Sequence, residues 1–270
     1  MIEIAEELLP CVAGEQAFDQ LMHMHGEIFR ELPTEGRRTL RFVCEGRSYF
    51  IKIHRGVGWR EIFKNLLSLR LPVVSARNEW RAIERLEQLG IPTTPLVARG
   101  ARGINPARRE SFVVTRDLGD TISLEDLTAH WPETPPPATF KWALINEVAR
   151  IARVMHGHGM NHRDFYLCHF LLDQHAGWSM QQPKLYLIDL HRVQMRRRVP
   201  RRWLVKDLGG LYFSALDAGL SRRDVLRFLR RYFDQPLREI LAEHEALLAD
   251  IIERARRFYV SMHGREPVMP

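Results

Sequence analysis

Alternating apolar and polar side chains in the first part of the chain predict β-strands. Residues 38–43 and 47–54 alternate in this way on either side of Glu45-Gly46, a pair suited to a tight turn, so they predict a hairpin. A preceding strand is expected near residues 27–31, and another at residues 111–114. The N-terminal part is therefore expected to hold an antiparallel sheet.

Other stretches place apolar residues three and four positions apart, which is the spacing of a helix buried on one face. The first is expected to end at Gly90, because glycine favours the left-handed conformation that ends many helices and Pro92 prevents continuation. The predicted helices cover residues 75–89, 139–156, 221–233 and 237–259.

A shorter amphipathic stretch, residues 59–67, allows two interpretations. Its apolar stripe includes Trp59 and Phe63, and Arg60 and Lys64 lie beside the stripe. The stripe is either the buried face of a helix packed on the core or the apolar face of a helix lying on a membrane.

The composition is that of an ordinary globular protein: 45% of the 270 residues are hydrophobic and 27% are charged. No run reaches the roughly 18–20 apolar residues of a membrane span, and the acidic N-terminal stretch lacks the pattern of a signal peptide, so a cytoplasmic protein is expected. Cys11, Cys44 and Cys168 are odd in number and widely spaced, which favours reduced thiols over a disulfide framework or a metal site.

The net charge of +7 suggests an anionic partner, although a solvated basic surface would also account for it. The anion would be a nucleic acid, an anionic membrane or a phosphorylated substrate. A nucleic acid is not expected, because no basic motif is interleaved with aromatic residues for base stacking.

The strongest chemical signal is His162-Arg163-Asp164, followed five residues after Asp164 by His169. An apolar strand comes next, and a second one at residues 185–190 contains Asp189. This order and spacing match the catalytic layout of protein kinases. Asp164 is expected to act on the proton of an acceptor hydroxyl. Asp189, with His169, is expected to hold a divalent metal.

Lys52 lies within an apolar strand, where a lysine is costly to bury unless it is paired. Kinases use such a lysine to hold the α- and β-phosphates of ATP, with a glutamate of the next helix as its partner. Glu79 is the candidate partner, with Glu84 and Glu87 as alternatives. Without a partner, the lysine would instead extend its head to water from an edge strand.

Two further segments have a place in this layout. Residues 115–118 follow a predicted strand and form the expected hinge, where backbone groups of Arg116 and Leu118 would meet the adenine. Asp207, near the expected start of a later helix, either holds the catalytic loop from below or is an ordinary acidic residue at a helix N-terminus.

These positions predict an α+β, two-lobed, protein-kinase-like fold. The N-lobe, residues 1–116, would contain the sheet and the Glu79 helix, and the C-lobe, residues 117–270, would be mostly helical. The chain departs from protein kinases in lacking a G-x-G-x-x-G loop and an Ala-Pro-Glu motif, so a peptide substrate is not expected. His169 replaces the usual asparagine, although Mg²⁺ prefers oxygen ligands.

Four passages carry a family resemblance: residues 47–56, 59–67, 161–170 and 188–192. The string Asp-Phe-Tyr-Leu-Cys-His-Phe at 164–170 is the most specific. In these passages the chain resembles the lipopolysaccharide core heptose(I) kinases of the kinase-like superfamily. The resemblance implies ATP-dependent phosphorylation of the first heptose of the lipopolysaccharide inner core. The metal expected from the kinase layout is Mg²⁺, with Mn²⁺ as the alternative because His169 offers a nitrogen ligand. The resemblance also implies a peripheral location on the cytoplasmic face of the inner membrane.

An arginine-rich run after Asp189 suits the acidic sugars and lipid A phosphates of such an acceptor, because arginine makes forked contacts with carboxylate and phosphate. A solvated basic loop is the alternative. An acidic protein partner would also fit the basic surface. Other functions left open are a kinase of the neighbouring sugar Kdo or of another small hydroxylated substrate, and a nucleotide-binding pseudokinase scaffold. The candidates for substrate contact are Arg163, Arg192, Arg196, Arg197 and Arg198.

Overall fold

The computed structural model describes residues 1–12, 14–32, 36–56, 58–59, 63, 75–175 and 182–270. It divides into two compact units. The first unit comprises Met1–Arg85, Thr94–Gly119 and Leu190–Arg192. The second comprises Leu86–Thr93, Asp120–Asp189 and Val193–Pro270.

The first unit is built on an antiparallel sheet that has six strands within the described residues, in the order β1-β5-β6-β4-β3-β2. Helix α1 (Ala17–Met22) and most of helix α2 (Arg77–Gln88) belong to the same unit. The strands are β1 (Ile2–Ile4), β2 (Glu27–Leu32), β3 (Arg37–Cys44), β4 (Arg47–Arg55), β5 (Leu96–Arg102) and β6 (Glu110–Arg116).

The predicted hairpin is confirmed as β3 and β4, which pair from Cys44 and Arg47 outward. Its turn residues Glu45 and Gly46 both have positive φ, 47° and 73°, which is the backbone that a two-residue hairpin turn requires. Alternate residues of these strands, such as Leu40 and Ile51, are fully buried. Removing these side chains from water holds the sheet together and fixes its register.

The expectation of reduced cysteines is wrong for two of the three residues. Cys11 and Cys44 form a disulfide, while Cys168 is a free thiol. The bonded pair is 33 residues apart, so spacing along the chain gave no sign of it. Folding of β3 brings its last residue, Cys44, beside the segment that follows the short 3₁₀ helix Glu6–Leu8.

The second unit is mostly helical, as expected. Ser221 caps α6 in a capping box with Asp224, which confirms the predicted start of that helix. The predicted helical region at 237–259 is two helices, because the chain breaks at His244. The helices are α3 (Leu124–Thr128), α4 (Ala138–Gly157), α5 (Arg201–Ala215), α6 (Arg222–Phe233), α7 (Leu237–Glu243) and α8 (Glu245–His263).

Short strands of the second unit flank the residues expected to be catalytic. The strands β7 (Thr121–Ser123), β9 (Phe170–Asp173) and β10 (Leu185–Leu187) form one small sheet, and β8 (Met160–Asn161) pairs with β11 (Gln194–Met195). The strand predicted at 185–190 is therefore shorter: it ends at Leu187, and a 3₁₀ turn, Leu190–Arg192, follows.

The amphipathic stretch at 59–67 lies mostly outside the described residues. Trp59 and Phe63 are described; their ring centroids are 5.9 Å apart and both side chains are largely exposed. Among the helices that the structure describes, none has the length and apolar character to cross a membrane.

Candidate active site

Lys52 on β4 forms an ion pair with Glu79 on α2, with Lys52 Nζ 2.6 Å from Glu79 Oε1. The Glu79 side chain is only 6% exposed, so its carboxylate neutralises the charge of Lys52 where little water can reach. The alternative Glu84 instead pairs with Arg99. The predicted pairing of Lys52 with Glu79 is therefore confirmed as a structural feature.

The start of α2 is fixed to the sheet, and this places Glu79. Ser111 on β6 is fully buried, and its Oγ accepts hydrogen bonds from the backbone N–H of Ala76 (3.0 Å) and from the hydroxyl of Ser75 (3.1 Å). These bonds satisfy groups that a helix leaves unpaired at its N-terminus. Glu79 lies one turn later on this anchored end.

His54, two residues after Lys52, is a buried neutral imidazole. Burial lowers its pKa to about 3, and the positive charges of Arg37 and Lys52 lower the pKa in the same direction. The side chain is 3% exposed. Lys52 is thus the charged member of this strand face, and His54 adds no competing charge at neutral pH.

The backbone of residues 115–119 is largely used within the first unit. The N–H of Arg116 donates to the Pro95 carbonyl (2.9 Å), and that of Asp117 donates to the Ser48 carbonyl (3.0 Å). The Arg116 guanidinium binds Glu7. For the N–H of Leu118, the described part of the chain offers no internal acceptor. Of the two residues expected to meet adenine, Leu118 therefore keeps its donor available.

In the second unit, Asp207 holds the His-Arg-Asp loop. Its carboxylate is completely buried and accepts the backbone N–H groups of His162 (2.5 Å) and Arg163 (2.8 Å). Helix α5 begins at Arg201, so Asp207 lies in its second turn and is not an acidic residue at the helix start. Of the two interpretations of Asp207, the structure supports the one in which its carboxylate holds the His-Arg-Asp loop.

This support maintains an unusual backbone. Arg163 has φ of +77°, a conformation that costs a non-glycine residue about 1–3 kcal/mol. The two hydrogen bonds to Asp207 offset that cost and fix the direction in which the chain enters Asp164. Asp189 has φ of +62°, so its own backbone is also in the left-handed conformation.

His162 ties the catalytic loop to the segment before Asp189. Its Nε2–H donates to the Ile188 carbonyl over 2.9 Å, and the side chain is fully buried. Burial lowers the pKa of His162, so the ring stays neutral and keeps this tautomer. Its ring also stacks against that of His169, with centroids 5.7 Å apart.

His169 contacts both key aspartates. Its Nδ1–H donates to the backbone carbonyl of Asp164 at 2.6 Å, so in the neutral ring the lone pair is on Nε2. That nitrogen lies 3.6 Å from Asp189 Oδ2. A neutral imidazole nitrogen and a carboxylate oxygen at this distance are a donor pair that a divalent metal can share.

Asp189 and His169 offer only two protein ligands, which suits a metal ion that substrate phosphates also coordinate. The described residues contain no group of three metal-ligating side chains. Mg²⁺ in kinase sites is commonly held by one or two protein ligands together with substrate phosphates. One carboxylate and one oriented imidazole fit such a site.

The arginine run separates into parts with different surroundings. Arg196 donates to the amide oxygens of Asn161 and Gln194, both over 2.8 Å. Arg197 and Arg198 are exposed in the second unit, whereas Arg192 belongs to the first unit and is partly buried. The predicted substrate arginines therefore differ in unit and in exposure.

Sequence reasoning missed an apolar cavity in the second unit. It has a volume of about 240 Å³ and is lined by side chains of α4, α5, α6 and α8. The helical apolar stripes were visible in the sequence, but a stripe that lines a cavity has the same pattern as one that fills a core. Lining residues include Val148, Leu211, Val225, Phe228 and Ile251.

Fold and side-chain arrangement together define the class of this protein: it is a phosphotransferase with a protein-kinase-like fold. A model described as the lipopolysaccharide kinase (Kdo/WaaP) family matches residues 19–232. The chain belongs to that family, which confirms the resemblance and the α+β fold class inferred from sequence.

Curated relatives agree over nearly the full length. The chain is 52% identical over 246 residues to the lipopolysaccharide core heptose(I) kinase WaaP of Pseudomonas aeruginosa, covering 91% of each chain. It is 48% identical over 257 residues to the protein of the same name from Escherichia coli, covering 95% of this chain and 96% of the relative. A solved structure described as WaaP in complex with acyl carrier protein matches with a TM-score of 0.83 and 45% identity, covering 96% and 99% of the two chains.

Proposed function

We propose that this protein is an ATP-dependent kinase that phosphorylates a hydroxyl of the first heptose of the lipopolysaccharide inner core. The observation that carries the proposal is the buried anchoring of the His-Arg-Asp loop by Asp207, in a chain whose relatives at about half identity are named heptose(I) kinases.

Lys52 binds the α- and β-phosphates of ATP in this proposal, and Glu79 holds its ammonium in place. The N–H of Leu118 donates to the adenine, and Arg116 contributes through its backbone carbonyl, because its N–H is already used. These residues bind and orient the nucleotide; positioning supplies much of the rate in phosphoryl transfer.

Asp164 accepts the proton of the heptose hydroxyl as that oxygen bonds to the γ-phosphorus. The bond between the γ-phosphorus and the bridging oxygen breaks, and ADP leaves with the electron pair. The Asp164 backbone is held by the hydrogen bond from His169 on one side and by the Asp207-bound residues on the other. The carboxylate therefore meets the hydroxyl from a fixed position.

Asp189 and His169 would hold Mg²⁺ or Mn²⁺. When bound, such an ion neutralises charge on the transferred phosphoryl group. The Nδ1–H bond to the Asp164 carbonyl orients His169, so its Nε2 lone pair faces the side where Asp189 Oδ2 lies.

The arginines predicted to contact substrate bind the acidic groups of the acceptor. Arg163, Arg196, Arg197 and Arg198 belong to the second unit, and Arg192 belongs to the first. The enzyme works as a peripheral protein at the inner face of the inner membrane, where its net positive charge of +7 favours anionic lipid.

We further propose that the protein assembles with an acyl carrier protein, as its solved relative does. One helix, α6, provides both features that such a partner needs. Its apolar side chains Val225 and Phe228 line the cavity, which an acyl chain would fill. Its arginines suit an acidic protein surface; they are Arg222, Arg223, Arg227, Arg230 and Arg231.

The kinase proposal is tested by transfer of ³²P from γ-labelled ATP to purified core lipopolysaccharide that lacks its heptose phosphate. The wild type should label the glycolipid, and Asp164→Asn should lower kcat by at least about a hundredfold with binding of ATP unchanged. The control is Asp250→Asn, which removes an exposed acid far along the chain in α8.

Assays with different acceptors distinguish a heptose kinase from a Kdo kinase and from a nucleotide-binding scaffold. A glycolipid that ends at Kdo and lacks heptose should not be labelled; if it is labelled, the enzyme is a Kdo kinase. If the wild type binds ATP but labels no acceptor, a nucleotide-binding scaffold replaces the proposal.

The carrier-protein proposal needs a different comparison. Isothermal titration should give tight binding to carrier protein that bears a long acyl chain and much weaker binding to the same carrier without the chain, because the cavity then stays unfilled. Equal affinities would refute a role for the cavity and leave charge attraction alone.

A further inference from the structure

Cationic side chains of the second unit converge on one indole ring, that of Trp203 on α5. Lys206 Nζ lies 5.7 Å from the ring centroid, and the guanidinium carbons of the arginines lie at similar distances. Those distances are 5.1 Å for Arg163, 5.2 Å for Arg202 and 5.8 Å for Arg196. We call these five residues the Trp203 cluster.

Three separate parts of the fold deliver the cluster. Arg202, Trp203 and Lys206 follow one another on α5. Arg163 comes from the catalytic loop, directly before Asp164. Arg196 is placed by the β8–β11 pair, and its backbone N–H donates to the Gly159 carbonyl at 2.9 Å. Because these anchors are backbone bonds and a helix, the charges are held together by the fold itself.

Two arginines of the cluster, Arg196 and Arg202, have no carboxylate partner among the residues that the structure describes. The side chain of Arg196 binds neutral amide oxygens, of Asn161 and Gln194. Arg202 is exposed, and none of the described residues supplies it with a carboxylate partner. An aromatic ring attracts cations only through its quadrupole, so the charges of Arg196 and Arg202 still raise the local positive potential.

Trp203 itself points to a missing acceptor. Its Nε1–H is buried and has no hydrogen-bond partner among the residues that the structure describes. Buried donors are almost always satisfied in folded proteins, so this N–H is a candidate donor to an acceptor that the protein itself does not supply.

We propose that the Trp203 cluster is an anion-binding subsite, which takes a carboxylate or phosphate of the acceptor glycolipid while the accepting hydroxyl meets Asp164. The inference rests on the proposed kinase function and names the substrate group that the second unit recognises. Arg163 joins the subsite to the catalytic aspartate, because the two are consecutive residues. Trp203 is a positioning residue: it holds the cations in one orientation.

Neighbouring arginines provide a matched control. Arg201 precedes Arg202 on the same helix but forms an ion pair with Asp250, at 2.6 Å. Removing either arginine changes the net charge equally. The subsite predicts different results, because only Arg202 belongs to the cluster.

The experiment measures the Kd of the acceptor without ATP, and the KM values of acceptor and ATP, for the wild type and four variants. Arg202→Ala should raise the Kd and KM of the acceptor about tenfold, the typical effect of losing one charge-assisted contact, with the KM of ATP and the Tm unchanged. Arg202→Lys should recover part of the loss, and Arg201→Ala should stay within twofold of the wild type. Trp203→Leu should raise the acceptor KM at unchanged Tm.

Modified acceptors identify the source of the anion. Reduction of the sugar carboxylates to alcohols should abolish the difference between wild type and Arg202→Ala if the subsite binds carboxylate. Removal of the lipid A phosphates should do so if it binds phosphate. A difference that survives both treatments would overturn the proposal.

Other outcomes are equally decisive. Equal effects of Arg202→Ala and Arg201→Ala, or a raised KM for ATP in place of the acceptor, would refute the subsite. A wild type that binds acceptor without phosphorylating it would refute the kinase function, and the Kd comparison would still judge the subsite. If the wild type does not bind the acceptor, both fail.

Discussion

Substitution of Asp207 by asparagine offers the sharpest test of the anchored loop. The carboxylate is completely buried and accepts two backbone N–H groups, those of His162 and Arg163. Its Oδ2 also lies 3.4 Å from His156 Nε2. Asparagine has nearly the same shape, but it can offer an oxygen to only one of the two N–H groups, and its own amide group then faces the other.

The cost follows from these contacts. Losing one charge-assisted hydrogen bond costs about 1.5–3 kcal/mol, and leaving one buried donor unsatisfied costs about 1–3 kcal/mol. Relief from burying a charge offsets part of this sum. We expect Asp207→Asn to lower the free energy of unfolding by about 3 kcal/mol. Because Arg163 would lose support for its positive φ, Asp164 would shift, and kcat should fall about a hundredfold.

Urea denaturation followed by circular dichroism measures the stability, and the ³²P assay measures kcat. The control is Asp250→Asn, which breaks an exposed ion pair and should cost no more than about 1 kcal/mol. A loss below about 1 kcal/mol for Asp207→Asn, or an unchanged kcat in the folded variant, would refute the reasoning.

Three further predictions concern other parts of the chain. Gly159→Ala should destabilise the protein by more than about 2 kcal/mol in urea denaturation, because φ is +76° and an added Cβ would lie 1.8 Å from the Arg196 carbonyl oxygen. Below pH 6.5 the unfolded chain protonates His54, whereas the folded chain, in which His54 has a pKa of about 3, does not. The contribution of His54 to the free energy of unfolding should therefore be fully present above pH 6.5 and fall by about 1.4 kcal/mol per pH unit as the pH drops below 6.5. His54→Gln should remove this slope, as measured by urea denaturation at several pH values. Reduction of the Cys11–Cys44 disulfide, which closes a loop of 33 residues, should cost about 3–4 kcal/mol, measured by urea denaturation with and without dithiothreitol.

Each of these has a clear contrary result. Unchanged stability of the alanine variant would mean that the backbone near residue 159 can relax. Identical pH slopes for wild type and the His54 variant would mean that the imidazole is hydrated. Three titratable thiols in the denatured, unreduced protein would refute the disulfide.

Sequence reasoning succeeded where the chemistry is local. The Glu45-Gly46 turn between alternating segments identified the hairpin, because both residues tolerate the positive φ of a two-residue turn better than a bulky residue does. The spacing from Asp164 to Asp189 also carries its own meaning, since a short pair of strands must separate the two residues. Lys52 could be identified because a charge in an apolar strand needs a partner.

Features formed by distant segments could not be predicted in the same way. Asp207 had two equal interpretations in the sequence, and its contact with residues 162–163 decided between them. The disulfide partner of Cys11 depended on strand register. The arginine run looked uniform, yet the fold pairs Arg201 with Asp250 and directs Arg196 and Arg202 to Trp203. Spacing along a chain does not reveal which charges are already neutralised.

His169 shows why the departure from asparagine is compatible with the kinase layout. An imidazole presents a donor and an acceptor on different edges of a rigid ring, so one side chain can bind the Asp164 carbonyl and still direct a lone pair toward Asp189. His162 stacks against the same ring and binds the Ile188 carbonyl, which precedes Asp189. The two histidines thereby connect the loop of the proposed base to the proposed metal ligand within one unit. In the proposed metal site, a softer nitrogen ligand would come with that connection, because the geometry of both aspartates then depends on the same pair of rings.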